Sequence, residues 1–213
     1  MNIKSLRRRR LITALTAGSI LPLHQLVLAQ GNLLPVTPSD AEGPFYPVQM
    51  PPDTDNDLLH VASRDNIAPG QLAYVRGRVT DPEGNVIDGA RVEIWQCDHA
   101  GVYDHPEDPG SFDQSFQGFG AMVTSRDGDY HFRTMRPVPY GQRTPHIHFK
   151  VKAKEFKTLT TQLYVREESV RNSADFLYKR HSKAEQQLLT SVFTPLTDKK
   201  AGPVTAEFNI VLG

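Results

Sequence analysis

From Leu72 onward the chain is cut into short runs rich in β-branched and aromatic residues, each closed by a turn signal, and this punctuation limits the fold more than any other feature. The runs are Leu72 to Val79, Ala90 to Cys97, Ala121 to Ser125, Tyr130 to Met135, His146 to Ala153, Thr158 to Val165 and Val204 to Leu212. Each has the length and composition of a strand. Between them, "DPEGN" at 81–85 and "RDGD" at 126–129 supply the glycine that a tight turn needs where φ is positive. Only Lys183 to Phe193, opening on Ser182 as an N-cap, reads as a helix. Strands at this density predict an all-β fold, an antiparallel β-sandwich with long loops and one C-terminal helix. Ahead of them, "PVTPSDAEGPFYPVQMPP" (Pro35 to Pro52) is too rich in proline for helix or central strand and reads as an extended N-terminal arm lying along the surface.

The first 29 residues read as an export signal. Arg7 to Arg10 precede a short apolar stretch broken by Pro22 and His24, and Val27-Leu28-Ala29 suits cleavage before Gln30. Arg8-Arg9 followed by Arg10, Leu11 and Ile12 resembles a twin-arginine address, with a Sec signal as the alternative. The expectation is an exported protein, periplasmic or secreted, whose residues 30–213 form one domain. Removing the signal takes five of the 24 basic side chains and none of the 24 acidic ones. The remaining domain is mildly acidic and carries no basic stripe, which argues against nucleic acid and against an anionic membrane surface as partners. Cys97 is the single cysteine, so no intrachain disulfide can form, and its apolar surroundings suit a buried structural thiol.

The densest chemistry lies in "RPVPYGQRTPHIHFKV", Arg136 to Val151. Side chains alternate along a strand, so Ile147, Phe149 and Val151 share the core face while His146 and His148 project together from the other. Such a pair can converge on one ion, and it equally fits a polar solvated face. Tyr140 and Arg143 stand shortly before it. A tyrosine ligand must be ionised against a free pKa of about 10. A hard trivalent ion can hold a phenolate at neutral pH, whereas zinc more usually takes His, Cys and carboxylate.

Over most of the chain the sequence resembles the intradiol ring-cleavage dioxygenases, in particular the iron-carrying subunit of the protocatechuate 3,4-dioxygenase type. The resemblance is carried by "EGPFYPV" in the arm, "GRVTDPEGNVIDGARVEIWQCDHAGVYDHPED", "FQGFGAMVTSRDGDYHFRTMRPVPY", "RTPHIHFKV", "LTTQLYV" and "FNIVL". It implies that Tyr103 in "AGVYDH", Tyr140 in "PVPYG", His146 and His148 are the metal ligands. By the same matching Arg143 is an active-site arginine and Gln162 in "TTQLY" a glutamine near the metal. His99, His105 and His131 fall on no ligand position and read as surface or supporting groups, and Trp95 reads as core. Two departures stand out. Only Gly141 and Gln142 separate Tyr140 from Arg143, where better-known members carry a longer insertion, and no helical N-terminal dimerisation segment is present. The first implies a wide pocket mouth; the second leaves both a homo-oligomer and a partner subunit open.

What the family does implies Fe(III) as cofactor, a catecholic substrate and O2. The ring is cleaved between the hydroxyl-bearing carbons to a cis,cis-muconate, without external reductant. Tyr140 is then the ligand expected to leave and take a substrate proton as general base. Arg143 stabilises the negative charge that develops, and Gln162 orients oxygens at the metal. Two other classes fit parts of the pattern: an Fe(II) extradiol or cupin-type oxygenase using His146, His148 and a carboxylate, and a non-catalytic prealbumin-like binding sandwich.

Overall fold

The computed structural model describes residues 33–62, 64–199 and 201–213, so the segment read as an export signal lies outside the described residues. In chain order the strands are β1 (Leu72–Thr80), β2 (Arg91–Trp95), β3 (Phe119–Val123), β4 (Asp129–Met135), β5 (His146–Lys152), β6 (Leu159–Val165), β7 (Thr190–Ser191), β8 (Thr194–Pro195), β9 (Val204–Glu207) and β10 (Ile210–Val211). Two short helices, α1 (Ser169–Ala174) and α2 (Lys183–Leu188), lie between β6 and β7. One sheet holds β4, β1, β9, β8 and β10; the other runs β3-β2-β5-β6-β7. Ala73, Val75 and Val79 of β1 and Tyr130 and Phe132 of β4 meet Val92 and Ile94 of β2 and Ile147, Phe149 and Val151 of β5 in one buried cluster. Their burial on alternate positions is what sets the register of each strand, because a slip by one residue would turn the apolar set outward. The expected all-β sandwich is therefore present, and Gly84 and Gly128 take the positive φ that their turns demand (85° and 74°).

Two expectations need correction. The sheets are mixed and not purely antiparallel: β9 and β10 run parallel to β1, and β7 runs parallel to β6. A parallel pair needs a long crossover, and the helices between Val165 and Thr190 provide one. The last predicted strand is split at Phe208 and Asn209, where the chain crosses β1 so closely that a Cβ on Gly77 would collide with the Phe208 carbonyl. The Phe208 carbonyl also accepts the Tyr130 hydroxyl proton. The second correction concerns helix. α2 opens on the Ser182–Glu185 capping box but ends at Leu188, because Thr190 and Ser191 pair with Tyr164 and Val165 instead. α1 was not foreseen; it is six residues long and has no side-chain cap to announce it. Among the described residues no helix is long and apolar enough to cross a membrane.

The arm is extended, as its prolines require, and it stitches the two sheets together. Thr37 N–H donates to Val211 O beside β10, and Asp40 N–H donates to Thr160 O on β6. Further on, Ala41 O accepts from Gln162 and the aromatic pair Phe45–Tyr46 packs against Trp95, Tyr103 and Phe119.

Candidate metal centre

β5 places His146, His148 and Lys150 on the face opposite its core residues, and the arm covers that face. The approach to β5 is a tight turn in which Arg143 N–H donates to Tyr140 O at 2.8 Å, with Gly141 at φ 50°. This turn brings Tyr140 and Arg143 beside the two imidazoles. Tyr103 comes from the loop after β2, which is folded around the buried Asp98 and the half-buried Asp108. Asp98 accepts the N–H groups of Ala100, Val102 and Asp113, and Asp108 accepts that of Tyr103.

The four side chains converge. Tyr103 and Tyr140 meet edge to face with centroids 5.0 Å apart, Tyr140 lies 5.6 Å from His146, and Tyr103 lies 6.1 Å from His148. The two imidazole Nε2 atoms are 3.1 Å apart. His146 Nδ1 is 2.6 Å from the Thr144 carbonyl, which can only accept, so the proton sits on Nδ1 and the Nε2 lone pair faces its neighbours. His148 is held differently, by stacking on Trp95 at 4.7 Å and 8°. Tyr103 is stacked on Phe45 at 4.6 Å, and its buried hydroxyl has no hydrogen-bond partner.

Burial governs the proton affinities. It pushes the Tyr103 phenol well above its ordinary value, and it raises Tyr140 too, although the charge and hydrogen bond of Arg143 pull that phenol back down. Burial, helped by the Arg143 charge, lowers His146 to about 4, and burial with the neighbouring His146 lowers His148 well below the usual imidazole range. At neutral pH both imidazoles are therefore uncharged donors of a lone pair.

Arg143 is itself locked. Its Nε donates to Asp175 Oδ2 at 2.7 Å and its Nη2 to Gln162 Oε1 at 2.6 Å, with Tyr164 OH 3.5 Å away. A guanidinium carries five N–H groups, and these contacts leave the two on Nη1 unused. Gln162 is fully buried and uses both ends of its amide inside the protein, accepting from Arg143 and donating to Ala41 O at 2.8 Å. It sits behind Arg143 and orients that side chain.

All six residues singled out from the sequence meet here. Several others were missed. Trp95 is buried as expected for core, yet it is also the stacking partner of His148. Lys150 shares the face of His146 and His148, a position the strand alternation could have flagged; it pairs with Glu42 of the arm at 2.5 Å and lies 3.4 Å over the Tyr46 ring. Asp175, Tyr164 and Asp40 carry no local sequence signal. Of the other histidines, His105 packs edge-on to Phe45, His99 sits beside Asp113, and His131 is exposed on the far sheet. Cys97 is buried, with its thiol pushed up to about 12 by burial, which suits a structural thiol.

A family model described as Dioxygenase matches residues 41–213. The chain belongs to the intradiol dioxygenase family. The protocatechuate 3,4-dioxygenase beta chain of Burkholderia cepacia is 29% identical over 206 residues, covering 90% of this chain and 87% of that one. A hydroxyquinol 1,2-dioxygenase of Corynebacterium glutamicum is 38% identical over 116 residues, covering 46% of this chain and 37% of that one. Among solved structures, the dioxygenase domain of a dioxygenase carbohydrate-binding protein fusion from Streptomyces sp. SirexAA-E superposes with a TM-score of 0.61 at 28% identity, covering 84% of this chain and all of that one. The chain spans 37, 51 and 61% of the length of three of its curated relatives, two of them catechol 1,2-dioxygenases of Acinetobacter lwoffii.

Proposed function

We propose that this family member is a non-haem Fe(III) intradiol dioxygenase that opens catechol-type rings between the two hydroxyl-bearing carbons with O2, giving cis,cis-muconates. The observation that carries the reading is the convergence of two phenols and two neutral imidazoles on one buried point. The donor set fits ferric iron. The two Nε2 atoms, 3.1 Å apart, are near enough for both lone pairs to be taken by one ion. The unpartnered Tyr103 hydroxyl has a use as a phenolate, which its burial forbids unless a cation stands beside it.

Tyr103, Tyr140, His146 and His148 are the residues that would hold the ion. Bound Fe(III) supplies the chemistry that activates a chelated catecholate toward O2. The remaining work falls to the chain. Tyr140 is the partly exposed member of the four, so it is the one free to move aside, and its phenolate oxygen accepts a catechol proton as general base. Arg143, whose Nε and Nη2 are tied back, keeps Nη1 for negative charge that develops on the substrate oxygens. Trp95, Phe45 and the arm keep water from the opposite side of the ligands.

The Fe(II) alternative lacks a third ligand: among the described residues no three His, Cys, Asp or Glu side chains converge. We also propose that the chain acts after export, in the periplasm or secreted, and works as a homo-oligomer or with a partner subunit; N-terminal sequencing of the mature protein and its mass in solution test these two points.

A visible spectrum with iron stoichiometry tests the site. Tyrosinate bound to Fe(III) absorbs in the visible, so the purified chain should be red to burgundy with one iron per site. Tyr103→Phe or Tyr140→Phe should shift or weaken the band, and His146→Ala or His148→Ala should lose iron. Unchanged colour and iron in all four variants would sink the assignment.

A further inference from the structure

We propose that Asp40, on the N-terminal arm, is a positioning residue for Arg143: it sets the direction in which the hydrogen-bond chain Tyr164–Gln162–Arg143 carries its protons. The proposal rests on the intradiol reading above.

The side chain of Asp40 is 4% exposed. Its Oδ2 accepts from Tyr164 OH at 2.6 Å and from His181 Nε2 at 3.3 Å, while Oδ1 meets only the exposed Ala41 N–H. Tyr164 has one proton and two acceptors within reach, Asp40 and, at 3.0 Å, Gln162 Oε1. That same glutamine oxygen takes the Arg143 Nη2 proton at 2.6 Å. The two arrangements therefore compete. A hydrogen bond to a carboxylate is the stronger by a factor of about two, so the Tyr164 proton turns toward the arm. Gln162 Oε1 is then left to Arg143, and the Tyr164 oxygen presents a lone pair to Nη2 at 3.5 Å.

Gln162 cannot answer by turning over, because its Nε2 donates to Ala41 O at 2.8 Å. Two adjacent arm residues thus fix the chain at both points: Ala41 sets the amide and Asp40 sets the phenol. Without Asp40 the Tyr164 proton swings to Gln162 Oε1. Arg143 must then share that acceptor and loses Tyr164 as a second one. Its Nε stays on Asp175, so the guanidinium remains bound at one edge and loosens at the other.

The test is a double-mutant cycle of Asp40→Ala and Tyr164→Phe, with Asp40→Asn and Arg143→Ala alongside, on the iron-loaded full chain. Asp40→Ala should lower kcat about two- to tenfold, the scale of one hydrogen bond, with KM for catechol and iron content unchanged. Tyr164→Phe leaves Gln162 Oε1 to Arg143 alone and removes only the 3.5 Å contact, so it should cost less, and the double variant should match Tyr164→Phe and not carry the Asp40→Ala loss as well. Asp40→Asn, whose amide oxygen still accepts the Tyr164 proton, should recover most of kcat. In metal-free 15N-labelled protein, solvent exchange of the Arg143 side-chain N–H groups should quicken in Asp40→Ala and not in Asp40→Asn. Multiplicative losses in the cycle, or losses that follow iron content and melting temperature alone, would overturn the proposal and leave Asp40 as a structural strap. If Arg143→Ala keeps full kcat, the intradiol reading fails instead, and the exchange measurement still decides whether Asp40 holds Arg143.

Discussion

Asp175→Asn is the substitution whose outcome the structure fixes most tightly. Asp175 is 1% exposed, and both of its oxygens are occupied by donors. Oδ2 accepts Arg143 Nε at 2.7 Å and Thr144 N at 3.0 Å; Oδ1 accepts Leu177 N at 2.9 Å and Tyr178 N at 3.0 Å. An asparagine must aim its NH2 at one of these pairs, so two donors face two donors whichever way the amide is turned. Two hydrogen bonds are lost, at about 0.5 to 1.5 kcal/mol each if neutral and about 1.5 to 3 if charged, and the abandoned buried donors add to the cost. Arg143 also loses its counter-charge in a site where its own side chain is 8% exposed. Together these give about 3 to 5 kcal/mol, the range expected when one partner of a buried ion pair is removed. For a domain of this size that is a fall in Tm of roughly 6 to 20 °C, read by thermal unfolding of the metal-free protein.

The same variant has a pH signature. Burial pushes the Asp175 carboxyl up, but hydrogen bonds from Tyr178, Arg143 and Thr144 outweigh it and hold the group below the usual carboxylate range. A folded-state pKa below the unfolded value of about 3.9 means stability that is fully present above that pH and lost as pH falls through the lower folded value. The gap between wild type and Asp175→Asn should therefore be complete at neutral pH and close below about pH 4. A gap of less than about 1 kcal/mol at pH 7, or one that widens on acidification, refutes the reasoning.

Arg143→Ala should leave catechol binding nearly unchanged and cut kcat by about ten- to a hundredfold, the worth of one charge-assisted contact; steady-state kinetics showing normal turnover with weak binding would make Arg143 a substrate-capture residue. A Cβ on Gly141 would meet nothing within 4 Å, and only Gly141 and Gln142 make up the turn between Tyr140 and Arg143, too little chain to wall off the ring positions far from the metal. A panel of 4-substituted catechols bearing hydrogen, alkyl or carboxylate should then be turned over within about tenfold of one another in kcat/KM, and preference for one by a hundredfold would show a wall supplied from elsewhere. Gly77→Ala drives a methyl into the Phe208 carbonyl and should cost about 3 kcal/mol, measured by denaturant unfolding; a neutral outcome would mean that the β9–β10 crossing can move away.

What could be read from the sequence was local. Alternation along β5 is enough to put His146 and His148 on one face, whereas the tight turn that sets Tyr140 and Arg143 beside them, with Gly141 at φ 50°, is seen only in the structure. Tyr103, from the loop after β2, was singled out only through the family resemblance, because nothing in "AGVYDH" announces where the loop folds back. Asp40 and Asp175 were invisible for a related reason. Each is an ordinary polar residue in an irregular segment, and its partner is distant in the chain. The parallel pairings of β7, β9 and β10 also depend on long crossovers, which leave no periodic trace. The overshoot of α2 reflects a tertiary contact as well: Thr190 finds a strand partner in Tyr164, and that pairing overrides the helical pattern before it.

Trp95 is the chain's single tryptophan, and it lies flat against His148. The protein therefore carries its own optical reporter at the centre of the site. Indole emission from a position 1% exposed should be blue-shifted in the metal-free fold, and an ion bound to the adjacent imidazole should quench it. Titrating metal into the apo chain while watching that one fluorophore would follow loading directly, without a label and without substrate, and a His148→Ala variant would supply the matching blank.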